Sequence, residues 1–327
     1  MSQFSPRKIL VTGATGSFGK TFVRSLLEEF PEVFIVAFSR DELKQFEMKS
    51  EFSSSRISFL LGDVRDYKRV LQATDGVDVI IHAAAMKQIP AAEENPMEAI
   101  KTNILGAENI VNAAIENKVS RVIALSTDKA ANPANLYGAT KLCSDKLVIA
   151  GNYISGQSTT KFSVVRYGNV LGSRGSVVPY FLDMASRGAI PITDLRMTRF
   201  WLTLERGVQL VSESLRSMHG GEIFIPKIPS FKVVDVANVV APGVPIEVIG
   251  IRPGEKLHEI MITEDDASYT KEFESHYAIL SPTLLKSGVY SDLGKAVAEN
   301  FSYRSDTNSW WHTPQSFVKV LKEINLV

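Results

Sequence analysis

Five short apolar runs recur along the first part of the chain: KILVT (8–12), VFIVAFS (33–39), ISFLLGD (57–63), VDVIIHAAA (77–85) and VIALSTD (122–128). Between them lie segments whose apolar positions fall at helical spacing, among them KTFVRSLLEEF (20–30), RDELKQFEMKSEF (40–52) and MEAIKTNILGAENIVNAAIENK (97–118). Near-continuous apolar strands alternating with helices predict a parallel sheet covered on both faces, a doubly wound α/β fold. FSVVRYGN (162–169) reads as a further strand of that sheet. Past residue 168 the rhythm breaks, and GSRGSVVP, GAIPITD, GGEIFIPKIPS and IRPGEK bring in glycine and proline between shorter elements. A smaller region draped over the carboxyl ends of the sheet is expected there.

Composition narrows the class. The 327 residues are 45% hydrophobic, and 36 Lys and Arg balance 36 Asp and Glu, so no overall field draws the chain to nucleic acid or anionic lipid. The single cysteine, Cys143, excludes an intrachain disulfide and fits a reducing compartment. The opening MSQFSPRKILVTG has too short an apolar stretch for a secretory signal, and no run approaches the length that spans a bilayer. A soluble cytoplasmic protein without membrane contact is expected. The five histidines show no metal-ligand spacing, so no metal is expected.

GATGSFG places Gly13, Gly16 and Gly19 directly after a strand and at the opening of a helix. Backbone amides at a helix start can hold a pyrophosphate, and glycine lets the phosphates approach. The spacing is G-x-x-G-x-x-G, so the strand–loop–helix context carries the reading; Thr15, Ser17 and Phe18 fall within the same loop. The overlapping ATGSFGKT is a near match to a nucleotide-hydrolase phosphate loop. Ala14 stands where that motif wants glycine, and only Asp63 offers a magnesium-binding carboxylate. After the second strand come Ser39, Arg40 and, one turn on, Lys44, two cations suited to a 2′-phosphate, which favours NADP over NAD. Asp41 is adjacent, and Arg40 could equally be a solvated residue opening a helix. Asp63 and Val64 would edge the adenine. Ala83, Ala84 and Ala85 would lie along the cofactor's middle.

STDKAANPANLYGATK (126–141) crowds Thr127, Asp128, Lys129, Tyr137 and Lys141 into one stretch. Tyr137 and Lys141 stand four apart and share a helix face. In a nicotinamide enzyme such a lysine lowers the tyrosine's pKa and holds the ribose, and the phenolate takes a hydroxyl proton as hydride leaves. Asp128 could instead cap the turn before the helix.

These features resemble the extended short-chain dehydrogenase/reductase superfamily. STDKAANPANLYGATKLCSDK, SRDELKQ, RYGNVLGSRGSVVP, ITDLRMTRFW, MHGGEIFIPKIPS and GIRPGEKLHE together resemble one family, the inverting UDP-N-acetylglucosamine 4,6-dehydratases of pseudaminic acid biosynthesis. The likeness runs from about residue 7 to about residue 265. It implies a Rossmann domain over residues 1–168, and a mainly substrate-binding region over 169–327 with some segments returning to the first. It also implies a lyase that oxidises C4 of UDP-N-acetylglucosamine with bound, self-regenerating NADP and removes water across C5 and C6. The product would be UDP-2-acetamido-2,6-dideoxy-β-L-arabino-hexos-4-ulose, a precursor for flagellin glycosylation.

Within the resemblance, Thr127, Tyr137 and Lys141 serve the oxidation. Lys129 removes the C5 proton, with its pKa pushed down by desolvation and by Lys141, and Asp128 protonates the departing hydroxyl. Lys87, Asn169, Val170, Thr193, Arg199, Arg252 and Glu255 are the substrate side, the arginines matched to the pyrophosphate; Lys87 and Asn169 also face the cofactor. A homo-oligomer, dimer or hexamer, is expected. The alternative is a UDP-sugar 4-epimerase of the same superfamily.

Overall fold

The structure is a computed structural model that describes residues 4–156, 158–172 and 176–324. Within GSRGSVVP, residues 173–175 lie outside the described residues. The apolar runs become β1 (Lys8–Thr12), β2 (Phe34–Ser39), β3 (Ile57–Leu61), β4 (Val79–His82), β5 (Arg121–Thr127) and β6 (Lys161–Tyr167). They lie in the order β3-β2-β1-β4-β5-β6, and Glu222–Pro226 follows β6 as a seventh parallel strand. The inner strands are rich in Val and Ile because helices cover both their faces. Beyond Glu222–Pro226 the sheet continues through His276–Leu280, Thr270–Glu272 and Lys295–Ala296, each antiparallel to the strand before it.

The strand order reverses between β1 and β4, which opens a crevice at their carboxyl ends, where open α/β sheets bind ligands. Gly13 sits in that crevice with φ +65°, and a Cβ there would come within 2.9 Å of the Ala84 amide nitrogen. Only glycine serves both constraints.

Below the crevice, His82 and Thr12 form a buried pair, with Thr12 Oγ1 2.9 Å from His82 Nδ1. The same hydroxyl oxygen accepts from the amides of Ala83 (3.1 Å) and Ala84 (3.2 Å). Its own proton therefore goes to Nδ1, which leaves His82 a neutral imidazole protonated at Nε2. Burial, with the Lys141 charge adding to it, pushes the His82 pKa down to about 3.

A second apolar cluster lies outside the sheet, where Trp201 stacks on Phe231 (5.9 Å) and Phe231 meets Phe317 (4.4 Å). Between the two cores, the short strand Asn169–Val170 leaves β6 and pairs with Thr198–Leu202, which in turn pairs with Ser230–Lys232. That three-stranded sheet sets Asn169 against the crevice.

The His82 pair makes stability acid-sensitive. Its folded pKa lies below the ordinary 6.5, so as pH falls from about 6.5 toward 3 the unfolded chain binds a proton that the folded chain refuses. About 2 kcal/mol should be lost by pH 5. Urea unfolding between pH 7 and 5 should show that slope in the parent and a flatter one in His82→Asn.

Candidate active site

The crevice widens into a cleft of about 630 Å³. Its floor is the loop after β1 and the start of the helix Ser17–Glu29, capped by Gly16 with no side-chain cap and no acidic residue in its first turn. Such a start presents backbone donors and a positive dipole end to an anion. Gly13, Thr15, Gly16, Ser17, Phe18 and Gly19 line this end. Ser39, Arg40, Lys44, Asp63 and Val64 line the far mouth, and Ala83, Ala84, Ala85 and Lys87 the middle. Tyr137, Lys141, Asn169 and Val170 close the inner end, beside Thr127 and Lys129. The shape and donor set fit a dinucleotide laid from the β2 side across to the helix Leu136–Ile154.

At the mouth, Asp41 is engaged twice. It caps the helix Glu42–Glu51 by accepting from the Lys44 amide (3.0 Å), and it pairs with the Lys44 ammonium (2.7 Å). Asp63 faces Arg65 (2.7 Å) and, more loosely, Arg40 (3.9 Å).

The stretch 126–141 opens as a tight turn, Asp128–Ala130, at the end of β5, followed by the long helix Leu136–Ile154. Asn135 caps that helix through the Gly138 amide (2.8 Å) and donates to the Gly254 carbonyl (2.8 Å). Tyr137, Lys141 and Asp145 repeat every four residues on one helix face. Thr127, not Asp128, caps the turn: its hydroxyl accepts from the Lys129 amide and donates to Asp128 Oδ1 at 2.8 Å. Asp128 is fully buried, and its Oδ1 also accepts from Lys129 Nζ at 3.0 Å. Lys129 reaches on toward Asn169 Oδ1 (3.4 Å) and Glu259 Oε1 (3.6 Å).

Two electrostatic expectations are corrected. Burial alone would lower the Lys129 pKa, but the carboxylates of Asp128 and Glu259 outweigh it and raise the value above that of ordinary lysine. Lys129 therefore rests as an ammonium, and Lys141 does not act to neutralise it. Tyr137 is pushed up to about 12, chiefly by burial; Lys129 pulls it down, as does a hydrogen bond with Thr127, while Asp128 and Asp145 push it up. Tyr137 thus rests as a neutral phenol, and the cation that stabilises its phenolate is Lys129 rather than Lys141. Lys141 itself is lowered by burial, with Asp145 opposing.

Four substrate-side residues lie off the cleft lining. Arg199 is buried, and its guanidinium donates to the carbonyls of Thr198 (2.7 Å), Leu257 (3.1 Å) and Lys256 (3.0 Å), with Glu255 and Glu259 each at 3.6 Å. With its donors spent inward, it braces the loop after Gly250 rather than meeting a pyrophosphate. Thr193 is buried against Met197 and Glu255. Arg252 is exposed at the rim of the same loop.

Sequence reasoning missed Glu259, Asp145, Lys256 and Asn103. Asp145 carried a local signal, being one turn past Lys141. It accepts from Ser126 Oγ (2.7 Å) and Arg166 (3.2 Å). Lys256 donates to the Ala131 carbonyl (2.7 Å). Asn103 ties Met86 to Thr140, and so fixes the loop bearing Lys87 against the catalytic helix. Among the described residues no group of His, Cys, Asp and Glu is placed to hold a metal, and no helix is long and apolar enough to cross a membrane.

The polysaccharide biosynthesis protein family matches residues 9–281. The chain belongs to this family. Within it, the chain is 53% identical to a UDP-N-acetylglucosamine 4,6-dehydratase (inverting) of Campylobacter jejuni subsp. jejuni serotype O:2, over 97% of this chain and 98% of that one. A UDP-glucose 4-epimerase of Rickettsia canadensis is 41% identical over 84% of this chain and 83% of its own. Among solved structures, the X-ray structure of Pen from Bacillus thuringiensis superposes with a TM-score of 0.90 at 35% identity, covering 99% of each chain.

Gly138 shows how tightly this turn is held against the helix, since a Cβ at that position would overlap the Lys129 carbonyl oxygen. The Lys129 backbone and the Pro133 ring cannot yield cheaply. Gly138→Ala should lose about 1–3 kcal/mol of stability, read by urea unfolding, whereas Gly188→Ala, where nothing lies within 4 Å, should lose less even with its φ of +103°.

Proposed function

We propose that the chain is an inverting UDP-N-acetylglucosamine 4,6-dehydratase, a lyase that removes water across C5 and C6 of the sugar after transient oxidation at C4. The observation that carries this reading is the pair of buried Asp128 and partly buried Lys129, joined at 3.0 Å beside Tyr137 on the cleft wall. The relative that is 53% identical over nearly its whole length bears that activity in its name. The Rickettsia relative's activity is the second reading; an epimerase needs a base at C4 but no acid–base pair for elimination.

NADP is the proposed cofactor. The glycine loop would hold its pyrophosphate, Arg40 and Lys44 its 2′-phosphate, and Lys141 its nicotinamide ribose. When bound, it supplies the acceptor that takes a hydride from C4 and returns it at C6.

The chain's own groups then handle protons. Tyr137 gives up its own proton to solvent before it works as a base, and the phenolate, favoured by the Lys129 charge, takes the C4 hydroxyl proton. The C5 proton becomes acidic once C4 is a ketone. The working pair for elimination is a neutral Lys129 amine, which takes that proton, and a protonated Asp128, which gives one to the departing C6 hydroxyl. That pair is the tautomer of the resting ion pair. One proton moving from Lys129 Nζ to Asp128 Oδ1 along their hydrogen bond converts the first into the second, and elimination restores the ions. Reprotonation of C5 from the opposite face gives the inverted product. We further assign the protein to the cytoplasm as a homo-oligomer, and its product to pseudaminic acid and flagellin glycosylation.

Purified protein incubated with UDP-N-acetylglucosamine should yield a product lighter by one water, and in deuterated water should carry deuterium at C5. An isomer of unchanged mass would establish the epimerase instead. Lys129→Ala should stop dehydration while leaving cofactor bound. Arg40→Ala with Lys44→Ala should weaken NADP relative to NAD by about tenfold or more, the worth of one charge-assisted hydrogen bond, as measured by cofactor titration.

A further inference from the structure

Glu259 does not line the cleft, yet it meets the cleft residue Lys129 from behind. It is 3% exposed and sits immediately before the strand Ile260–Ile262, which packs on the catalytic turn. Its backbone is pinned on both sides by Ser305, whose hydroxyl accepts from the Glu259 amide (2.9 Å) and whose amide donates to the Glu259 carbonyl (2.9 Å). From that fixed position Oε1 stands 3.6 Å from Lys129 Nζ and 3.6 Å from Arg199 Nε. Oε2 is buried with no hydrogen-bond partner among the described residues. A buried carboxylate left half-satisfied is costly and needs a reason. Stability alone does not supply one, because Arg199 already has three backbone carbonyls and Glu255.

We propose that Glu259 is a positioning residue for the elimination: it confines the Lys129 side chain between two carboxylates, Asp128 and itself, and sets the proton affinity of that amine. This inference rests on the role given above to Lys129. The ammonium is faced by Asp128 and Tyr137 from its own segment and the helix after it, and by Glu259, Arg199 and Lys256 from the outer loop and its neighbouring strand. Of these, Asp128 is required as the proton acceptor and Arg199 and Lys256 disfavour the charge. Glu259 is the group free to hold the cation at rest without taking part in the transfer. It fixes where Nζ waits, 3.4 Å from Asn169 on the cleft wall, and how much alkalinity releases it.

Glu259→Gln keeps the shape and removes the charge. In a protein labelled with 13C at lysine Cε, loaded with cofactor, the Lys129 resonance should titrate lower than in the parent by about one to three pH units, the effect of removing one opposite charge at this range. With the ammonium less firmly held, its proton passes to Asp128 more readily, so kcat rather than KM should change, by one factor at every pH below the Lys129 titration. Glu259→Asp should slow turnover but keep the Lys129 titration close to its parental pH. A Gln variant whose rate falls equally at every pH, with the Lys129 titration unmoved, overturns the proposal and leaves Glu259 a packing residue. If Glu259→Gln does not fold, the parent decides: Lys129 must stay charged to the highest pH at which the fold persists, and titration at or below the ordinary lysine value overturns the inference. Should the parent not dehydrate the sugar at all, the activity reading fails, while the lysine titration still decides for or against Glu259.

Discussion

A lysine ammonium held between two buried carboxylates is the constraint around which this site is arranged. Lys129 has its Nζ 3.0 Å from Asp128 and 3.6 Å from Glu259, with both carboxylates almost wholly out of water. Charges so far from water persist when paired, and Arg199 shares Glu259 with the lysine. In the proposed mechanism the resting state thereby stores the elimination pair one proton transfer away from its working form. The same cation draws the Tyr137 phenol toward ionisation against the burial that opposes it, so that mechanism has one side chain link its two half-reactions.

The scaffold explains how such a pair can be held. β5 delivers Thr127 and Asp128 at the carboxyl edge of the sheet, beside the point where strand order reverses. The helix start at Asn135 closes down so far on the turn that its third residue has to lack a side chain. His82 and Thr12 lock the neighbouring strands with a single hydroxyl that satisfies three partners. Rigid backbone on every side leaves protons as the mobile parts.

Much of this was legible in the sequence wherever the signal is local. The apolar runs announced the parallel strands. The glycine spacing placed the turn from β1 into the helix Ser17–Glu29, and four-residue periodicity put Tyr137 and Lys141 on one face. All of these depend on neighbours within a turn or two. Legibility failed where a property depends on a distant partner. The charge state of Lys129 depends not only on adjacent Asp128 but on Glu259, far along the chain in a loop with no periodic pattern. Arg199 displayed a charge suited to phosphate but not the three carbonyls and two carboxylates that occupy it. The antiparallel extension of the sheet is built from strands of two to five residues, too short to leave a period.

The bonds joining Asn135 to Gly254 and Lys256 to Ala131 bear on any effort to retailor the enzyme by exchanging parts. The segment carrying Arg252 and Glu255 looks like a detachable module, exposed and rich in turns. It is nonetheless riveted at two points to the backbone beside the catalytic pair. A graft from a cousin with different sugar preference would have to bring both rivets along, or its new selectivity would arrive with a loosened chemical centre.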